Sequence, residues 1–373
     1  MTIKKVAILT HDMQGGAFTN LCTVLARGFQ ELGVNCDLVI LHASNEEKAK
    51  YPDINLVTLN TRRTAFSLMP TVHYIRKYKP DVILPMPWYF NIVAIWARYL
   101  SRTNTKIIIG EHNIISLEAG IEHKDKLRLR YLPILMRYTY PSGDGLVGVS
   151  QDTITDLLEE IKVPDCIPMR VILNPIDIDR IQQLAREPIE HPWFQNKGTP
   201  VIMTVARLAK QKQLDVLIRA FANVVSILPA KLLILGEGPL RPELESLCRE
   251  LQVEEHVAMP GYDHNPYRFM SACDAFVLAS AWEGCPIALQ EALACGAAAI
   301  VTNAPGGSKD VVGNGKFGIV VPTNDTDVLS KAIIQVLTDH NLKKHYREQA
   351  SKRSQDFQYQ RISREYLDFC NSV

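Results

Sequence analysis

The segment 280–296 has the sequence Ser280-Ala-Trp-Glu-Gly-Cys-Pro-Ile-Ala-Leu-Gln-Glu291-Ala-Leu-Ala-Cys-Gly296. The apolar run Ala275–Leu278 before it predicts a buried strand, while Pro286 and Gly296 predict the first turn and the end of a helix. A strand that leads through a glycine-containing turn into a helix is the repeating unit of a parallel α/β sheet. Its helix N-terminus offers free backbone N–H groups, so this unit suits a phosphate.

The same alternation of short apolar runs and helical stretches extends over the whole chain. Further strands are expected at Val6–Thr10, Asp37–His42, Val82–Met86, Ile107–Gly110, Leu146–Ser150, Arg170–Leu173, Pro200–Ala206, Lys231–Leu235, Val257–Pro260, Ala298–Thr302 and Gly318–Val321. These runs are continuously apolar, as buried parallel strands are. Because 373 residues are more than one domain with a single core usually contains, we predict two doubly wound α/β domains. Residues 1–176 and 177–355 form them, 180–199 is a connector, and 356–373 contribute a last helix.

Composition excludes several classes of protein. With 47% hydrophobic and 22% charged residues and a net charge of +1, the chain is globular and a nucleic-acid partner is not expected. The longest apolar stretch, residues 86–100, is too short to span a membrane. The eight cysteines form no C-x-x-C pair, and the N-terminus has no signal-peptide pattern. These features predict free, mostly buried thiols and a cytoplasmic protein.

Basic residues are concentrated in one part of the chain. Residues 62–137 contain thirteen Lys and Arg but only five acids. Within this stretch, the segment 126–137 is both basic and apolar, and its cations are Lys126, Arg128, Arg130 and Arg137. Such a segment either lies on anionic lipid headgroups or forms an ordinary surface helix. Both possibilities remain open at the level of sequence.

Two pairs of charged residues in the second half are candidates for a donor site. Glu283 and Glu291 lie in a loop and in the first turns of the following helix, where carboxylates accept hydrogen bonds from sugar or ribose hydroxyls. Arg207 and Lys212 follow a predicted strand, at the sheet edge where α/β proteins bind ligands. Together they could neutralise a diphosphate in place of a metal ion. The alternative is that all four are ordinary surface charges.

In the first half, two strands end in candidate site residues. Gly15 and Gly16 follow the first strand and precede a helix, and paired glycines allow a ligand to approach the backbone closely. They lack the G-x-G-x-x-G spacing of a dinucleotide site, which argues against an NAD-dependent dehydrogenase. His112 and Asn113 follow the strand Ile107–Gly110. A single histidine at such a position is more often structural than functional.

Taken together, these motifs resemble those of one enzyme family. The spacing Glu283-x₇-Glu291 within E-G-x-P-x₄-E-A-x-A-C-G is similar to the signature of retaining nucleotide-sugar glycosyltransferases of the GT-B fold, conventionally family four. Four further motifs also resemble this family: Val205-Ala-Arg207-Leu-Ala-Lys-Gln-Lys212, Asn174-Pro-Ile-Asp177, Leu235-Gly-Glu-Gly-Pro239 and Glu111-His112-Asn113. The motifs are spread over most of the chain.

The resemblance implies a fold and a set of site residues. The fold would be two Rossmann-like domains facing a central cleft, with the last helix returning to the first domain. On the donor side, Arg207 and Lys212 would hold the diphosphate and Glu291 the ribose. Glu283 with Gly284, Cys285, Pro286 and Ile287 would contact the sugar and phosphate, and Gly16 would also face the donor. Glu283 and His112 would be the catalytic residues, with Gly15 and Asn113 on the acceptor side.

The activity implied is transfer of a hexosyl or N-acetylhexosaminyl group from a nucleoside diphosphate sugar, expected to be a UDP-sugar. The transfer would proceed with retention, without a metal or other cofactor, to a glycan, expected to be lipid-linked, in polysaccharide or lipopolysaccharide biosynthesis. The protein could then be peripheral on the inner face of the membrane. A nucleotide-sugar epimerase of the same fold and a non-catalytic nucleotide-sugar-binding protein are the alternatives.

The sequence also departs from the family pattern. Gln213 replaces the usual glycine after the lysine, Cys285 stands where an aromatic residue or leucine is common, and the segment Ala304-Pro-Gly-Gly307-Ser-Lys-Asp310 matches only loosely. The first change could stiffen the phosphate loop, and the other two leave the sugar undetermined.

Overall fold

The computed structural model describes residues 3–11, 13, 16–118, 131–195 and 198–373. The chain divides into two compact units, one formed by Met1–Ile176 with Phe357–Val373 and the other by Asp177–Asp356. Each unit is built around one parallel sheet.

The first unit contains a seven-stranded sheet in the order β3-β2-β1-β4-β5-β6-β7. Its strands are β1 Lys5–Thr10, β2 Asn35–Ile40, β3 Asn55–Thr58, β4 Val82–Pro85, β5 Lys106–Glu111, β6 Gly145–Gly148 and β7 Met169–Val171. The helices are α1 Ala17–Glu31, α2 Asn45–Ala49, α3 Leu68–Tyr78, α4 Trp88–Ser101, α5 Ile115–Leu117, α6 Leu132–Thr139 and α7 Gln151–Thr155.

The second unit contains a six-stranded sheet in the order β10-β9-β8-β11-β12-β13. Its strands are β8 Val201–Val205, β9 Lys231–Leu235, β10 Val257–Gly261, β11 Ala275–Leu278, β12 Ala299–Thr302 and β13 Ile319–Val321. The helices are α8 Ile178–Leu184, α9 Pro192–Gln195, α10 Leu214–Val225, α11 Arg241–Glu250, α12 Tyr267–Ala272, α13 Ile287–Ala294, α14 Ser308–Val311, α15 Thr326–Thr338 and α16 His340–Ser354.

The last helix of the chain, α17 Tyr359–Ser372, packs on α1 of the first unit. The Tyr359 hydroxyl donates a hydrogen bond to Glu31 at 2.6 Å. Gly28 lets the helices approach closely, because a Cβ there would lie 2.0 Å from the Ser363 hydroxyl oxygen. The C-terminal segment is therefore part of the first unit's fold.

All pairings within both sheets are parallel, so the prediction of two α/β units is confirmed. Sequence reasoning missed β3, an edge strand that is only half-buried and so has no continuous apolar run. The expected connector at 180–199 contains α9 and most of α8. Within the basic segment 126–137, the structure describes the residues from 131 onward, where α6 begins at Leu132. A π-helical turn, Asp156–Glu160, follows α7. All eight cysteines are free, and six are buried, as expected.

Both sheets reverse their strand order beside their first strand. In the first unit the reversal lies between β1 and β4, and in the second between β8 and β11. Ligands of open α/β sheets bind outside the carboxyl ends of the strands at this point. The loop that carries Arg207 and Lys212 follows β8, and the loop that carries Glu283 follows β11. The two donor motifs therefore flank the reversal point of the second sheet.

Candidate functional site

The loops after β8 and β11 are joined by hydrogen bonds. The backbone N–H of Ala281 donates to the Gln211 carbonyl at 2.8 Å, and the Gln211 side-chain amide donates to the Trp282 carbonyl at 3.0 Å. Since each loop fixes the other, the residues they carry keep a defined spacing.

An ion pair connects the two sequence motifs directly. Lys212 Nζ lies 2.5 Å from Glu283 Oε1, and the Ser280 hydroxyl donates to the same oxygen at 2.6 Å. Glu283 is only 5% exposed, so the alternative of a solvated loop acid is wrong. A buried carboxylate of this kind requires a charged or hydrogen-bonding partner. Sequence reasoning placed Lys212 and Glu283 in one site but did not predict that they pair.

Glu291 lies in the second turn of α13 and faces inward. It is 7% exposed and accepts a hydrogen bond from the Tyr267 hydroxyl at 2.9 Å, so it is not an exposed helix residue. Burial raises the pKa of the Glu291 carboxyl to about 7, and the Tyr267 hydrogen bond opposes this shift. The carboxyl therefore changes its charge near neutral pH. Nothing in the sequence pointed to Tyr267, a single aromatic residue of α12.

The loop after β12 supports the Glu283 loop from the other side. The backbone N–H of Glu283 donates to the Pro305 carbonyl at 3.0 Å, and that of Gly307 donates to the Gly284 carbonyl at 2.7 Å. Gly306 has φ of +110°, and a Cβ on it would lie 1.5 Å from the Glu283 carbonyl oxygen. Only glycine fits this position. The loosely matching segment 304–310 thus packs against the core of the donor motif.

Two glycines shape the backbone around Arg207. A Cβ on Gly236 would lie 2.0 Å from the Ala206 carbonyl oxygen, and one on Gly238 would lie 2.4 Å from that of Leu208. The G-x-G motif after β9 therefore allows this loop to pack directly on residues 206–208. Arg207 itself is exposed, as both a ligand-binding cation and a surface cation would be.

Gln213 occupies a position at which the family usually has glycine. Its φ of +43° and ψ of +46° place it in the left-handed region, which few side chains adopt. Its side-chain amide donates to the side-chain oxygen of Asn324 at 2.9 Å. This conformation explains why glycine is favoured here, and the side-chain contact fixes the start of α10.

The remaining donor-side residues of the motif lie at the start of α13. Gly284, Cys285 and Pro286 are buried, and Ile287 is half-buried. Pro286 is the residue before the first helical turn, and Gly296, at φ of +71°, follows the C-terminus. Both helix boundaries agree with the sequence prediction.

In the first unit, His112 follows the carboxyl end of β5. Its Nδ1 lies 3.3 Å from the side-chain oxygen of Asn174, and its ring packs edge-on against Phe18 with centroids 5.4 Å apart. Burial lowers the pKa of the His112 imidazole to about 4, so the ring is neutral at pH 7. Asn174 begins the Asn174–Asp177 motif, whose last residue caps α8 by accepting from the Arg180 backbone N–H at 3.1 Å.

Some of the other candidates of the first unit lie among the described residues and some do not. Gly16 precedes α1 with φ of +92°, a conformation that requires glycine. The Asn113 side-chain amide donates to Glu118 at 2.9 Å, so that contact orients it within its own loop. Gly15 lies outside the described residues, as do Lys126, Arg128 and Arg130. Arg137 donates to the Ile161 carbonyl through Nε at 3.3 Å and Nη2 at 3.2 Å.

The described residues form neither a metal site nor a membrane-spanning helix. Among them, no three His, Cys, Asp or Glu side chains lie close enough together to hold a metal ion. No helix in this part of the chain is long and apolar enough to cross a membrane.

Comparisons with known proteins place the chain among enzymes of one family. Residues 185–353 match the family described as Glycosyl transferases group 1, and residues 19–180 match Glycosyltransferase Family 4. An N-acetylgalactosamine-N,N'-diacetylbacillosaminyl-diphospho-undecaprenol 4-alpha-N-acetylgalactosaminyltransferase of Campylobacter jejuni is 32% identical over 279 residues, which are 75% of this chain and 73% of that protein. This chain belongs to the family 4 glycosyltransferases.

Two further proteins extend the comparison of this glycosyltransferase. The putative colanic acid biosynthesis glycosyltransferase WcaL of Salmonella typhimurium is 29% identical over 225 residues, covering 57% of this chain and 54% of that one. The crystal structure of Anabaena Alr3699/HepE with UDP-glucose has a TM-score of 0.79 at 20% identity and covers 99% of this chain and 100% of its own. At this identity the likeness shows the fold, so the expected GT-B fold is confirmed.

Proposed function

We propose that this glycosyltransferase moves a hexosyl or N-acetylhexosaminyl group from a UDP-sugar to a lipid-linked glycan, with retention at the anomeric carbon and without a metal. The observation that carries the proposal is the ion pair between Lys212 and the buried Glu283 beside the reversal point of the second sheet. A carboxylate fixed there can accept hydrogen bonds from sugar hydroxyls. A cation beside it can neutralise a departing diphosphate.

We assign one role to each charged residue of the second unit. Arg207 and Lys212 bind the diphosphate, since a guanidinium fork and an ammonium both suit phosphate oxygens. Glu291 binds the ribose through its carboxylate, and Glu283 binds the sugar with the backbone of residues 284–287. On binding, Lys212 is shared between Glu283 and the diphosphate. This sharing places the sugar-binding carboxylate of Glu283 and the leaving diphosphate around one cation, Lys212.

The reaction needs stabilisation of the leaving group rather than a nucleophilic side chain. The bond between the anomeric carbon and the diphosphate oxygen breaks, and the electron pair stays on the diphosphate. The acceptor hydroxyl then adds from the same face, and its proton goes to a phosphate oxygen of the leaving group. Charges already fixed in place favour this transition state because they do not have to reorganise. In the first unit, the neutral His112 is assigned to the substrate as a hydrogen-bonding group, with Gly16 on the donor side and Gly15 and Asn113 on the acceptor side.

The relatives support the choice of donor and acceptor. The Campylobacter relative is named for α-linked transfer of N-acetylgalactosamine to a glycan on diphospho-undecaprenol, and the Anabaena structure holds UDP-glucose. If the sugar is α-linked to its nucleotide, an α-linked product means retention. The absence of a metal is proposed because Arg207 and Lys212 supply positive charge at the phosphate position.

An exposed aromatic surface of the first unit suits a lipid-linked acceptor. Trp96 and Tyr99 on α4, and Ile134 and Tyr138 on α6, are 48% to 77% exposed, and these two helices pack against each other. Neither helix contains an acidic residue. Trp and Tyr favour the membrane–water interface, and nearby cations favour anionic lipid. We propose that this surface contacts the membrane peripherally and that the basic segment with Lys126, Arg128 and Arg130 adds attraction to anionic lipid. Arg137 has a smaller part in it because its guanidinium already binds the Ile161 carbonyl.

Vesicle co-sedimentation tests this membrane contact. Wild-type protein should bind vesicles that contain anionic lipid at low salt and leave them at 0.5 M salt. Replacing Trp96 and Tyr99 with Ala should abolish binding, while the matched control Ile227→Ala with Tyr262→Ala, which removes exposed apolar residues of the second unit, should not. Equal vesicle binding by both double variants would refute the proposal that this surface contacts the membrane.

Release of UDP tests the activity and separates the alternatives. UDP-N-acetylgalactosamine, UDP-N-acetylglucosamine and UDP-glucose are each incubated with the enzyme, with and without a lipid-linked oligosaccharide. We expect UDP release that requires the acceptor and is lost in Glu283→Gln. Sugar rearrangement without an acceptor would instead indicate an epimerase. Donor binding without turnover would indicate a binding protein.

A further inference from the structure

A buried polar cluster lies next to His112 in the first unit. It is formed by Glu111 at the end of β5, Asn91 in α4 and Tyr140 after α6, each at most 1% exposed. The Asn91 side-chain amide donates to Glu111 Oε1 at 2.8 Å, and the Tyr140 hydroxyl donates to the same oxygen. No role in the proposed reaction has been assigned to these residues.

The two carboxyl oxygens of Glu111 differ in their hydrogen bonding. Oε2 is buried and has no hydrogen-bond partner among the described residues. The other titratable groups that act on Glu111 are Tyr140, Glu118 and Asp156, so its charged neighbours are further acids. An ionised carboxylate is strongly disfavoured in such a place. Burial accordingly raises the pKa of Glu111 to about 8, and the carboxyl is neutral at pH 7.

The cluster also fixes the backbone that leads to His112. Asn91 donates to the Gly110 carbonyl at 3.0 Å and accepts from the Gly110 N–H at 3.3 Å. The His112 ring lies over the same residue, because a Cβ on Gly110 would be 3.3 Å from His112 Nε2. The Asn91 side chain therefore joins Glu111 to the backbone on which the imidazole rests.

We propose that Glu111 is a positioning residue, which as a neutral acid held by Asn91 and Tyr140 keeps His112 in place, and which disturbs that arrangement when it ionises. When the carboxyl loses its proton to solvent, Oε2 must find a donor or water. The end of β5 must then move. This proposal rests on the role assigned to His112 above.

The pH dependence of kcat at saturating donor tests the proposal. Wild-type kcat should fall above pH 8 and be about tenfold lower at pH 9 than at pH 7, since only about a tenth of Glu111 stays neutral there. Glu111→Gln resembles the neutral acid, so its kcat should stay within about twofold of wild type at pH 7 and show no such fall. Any loss of kcat caused by the titration of Glu291 occurs in wild type and in Glu111→Gln alike, so the Glu111→Gln substitution does not remove it.

Two further variants supply a control and a second readout. Tyr140→Phe removes a hydrogen bond that lowers the pKa of Glu111, so the alkaline fall should move to higher pH. Asp156→Asn, the matched control, removes a nearby buried acid outside the cluster and should keep the fall, at slightly lower pH. A purely structural role for the cluster would move neither profile.

The outcomes separate this proposal from the proposed function. An alkaline fall retained in Glu111→Gln, or absent from wild type, would overturn the role of Glu111. So would a loss of more than tenfold at pH 7 in a Glu111→Gln protein with unchanged thermal unfolding. If Glu111→Gln does not fold, the direction of the shift in Tyr140→Phe decides. Full kcat in His112→Ala would instead refute the role assigned to His112.

Discussion

Replacing Glu291 with Gln should change nucleotide affinity and protein stability in opposite directions. In the free protein the pKa of this buried carboxyl is about 7. If the ionised form binds the ribose, the observed Kd for UDP rises as the carboxyl is protonated. From pH 8 to pH 6 the ionised fraction falls about tenfold, so the Kd should rise about tenfold, or about 1.4 kcal/mol.

Calorimetric titration with UDP between pH 6 and pH 8.5 measures this effect. UDP has its own titrating phosphate, but that contribution is the same for both proteins. The ratio of the Glu291→Gln Kd to the wild-type Kd isolates the carboxyl. We expect this ratio to be largest at pH 8 and to fall about tenfold by pH 6. A ratio that does not vary with pH would refute the assignment of Glu291 to the ribose.

The same carboxyl makes the fold sensitive to pH. Its folded pKa lies above the ordinary value of 4.5, so the unfolded chain releases this proton first as the pH rises. The stability linked to the proton is fully present below pH 4.5 and is lost between pH 4.5 and 7. The loss at higher pH is about 3 kcal/mol at most. Glu291→Gln should therefore unfold several degrees above wild type at pH 8. An unchanged or lower unfolding temperature would contradict the burial argument.

Three further predictions concern the donor site. Gly306→Ala should lower the thermal unfolding temperature and abolish UDP release, because its Cβ would overlap the Glu283 carbonyl oxygen, and a normal unfolding curve would contradict this. Lys212→Ala should weaken UDP binding at least tenfold in calorimetry, whereas Lys210→Ala, which removes an exposed cation of the same turn, should change the Kd less than twofold; equal effects would count against a specific diphosphate contact. UDP release should persist in EDTA, and complete loss restored by Mn²⁺ would refute metal independence.

The sequence predicted the strands well because buried parallel strands are continuously apolar. The edge strand β3 was missed because Asn55–Thr58 is half-exposed and has no such run. Helix boundaries followed from residues with restricted backbones, such as Pro286 and Gly296 at the two ends of α13. These features depend on local chemistry, which the sequence contains.

The partners within the donor site depend on packing between distant segments. Lys212 and Glu283 are 71 residues apart, and no spacing rule predicts that they form an ion pair. Tyr267 could not be assigned to Glu291 for the same reason. The requirement for glycine at 306 comes from contact with the Glu283 backbone, and a single sequence does not reveal such contacts.

The anomeric configuration of the product tests the central claim most directly. Wild-type enzyme is incubated in EDTA with an α-linked UDP-N-acetylhexosamine and a lipid-linked oligosaccharide, and the new linkage is determined by NMR from its anomeric proton coupling. We expect an α-linked product from wild type and none from Glu283→Gln. A β-linked product, or an α-linked product formed equally fast by Glu283→Gln, would contradict retaining transfer at this site.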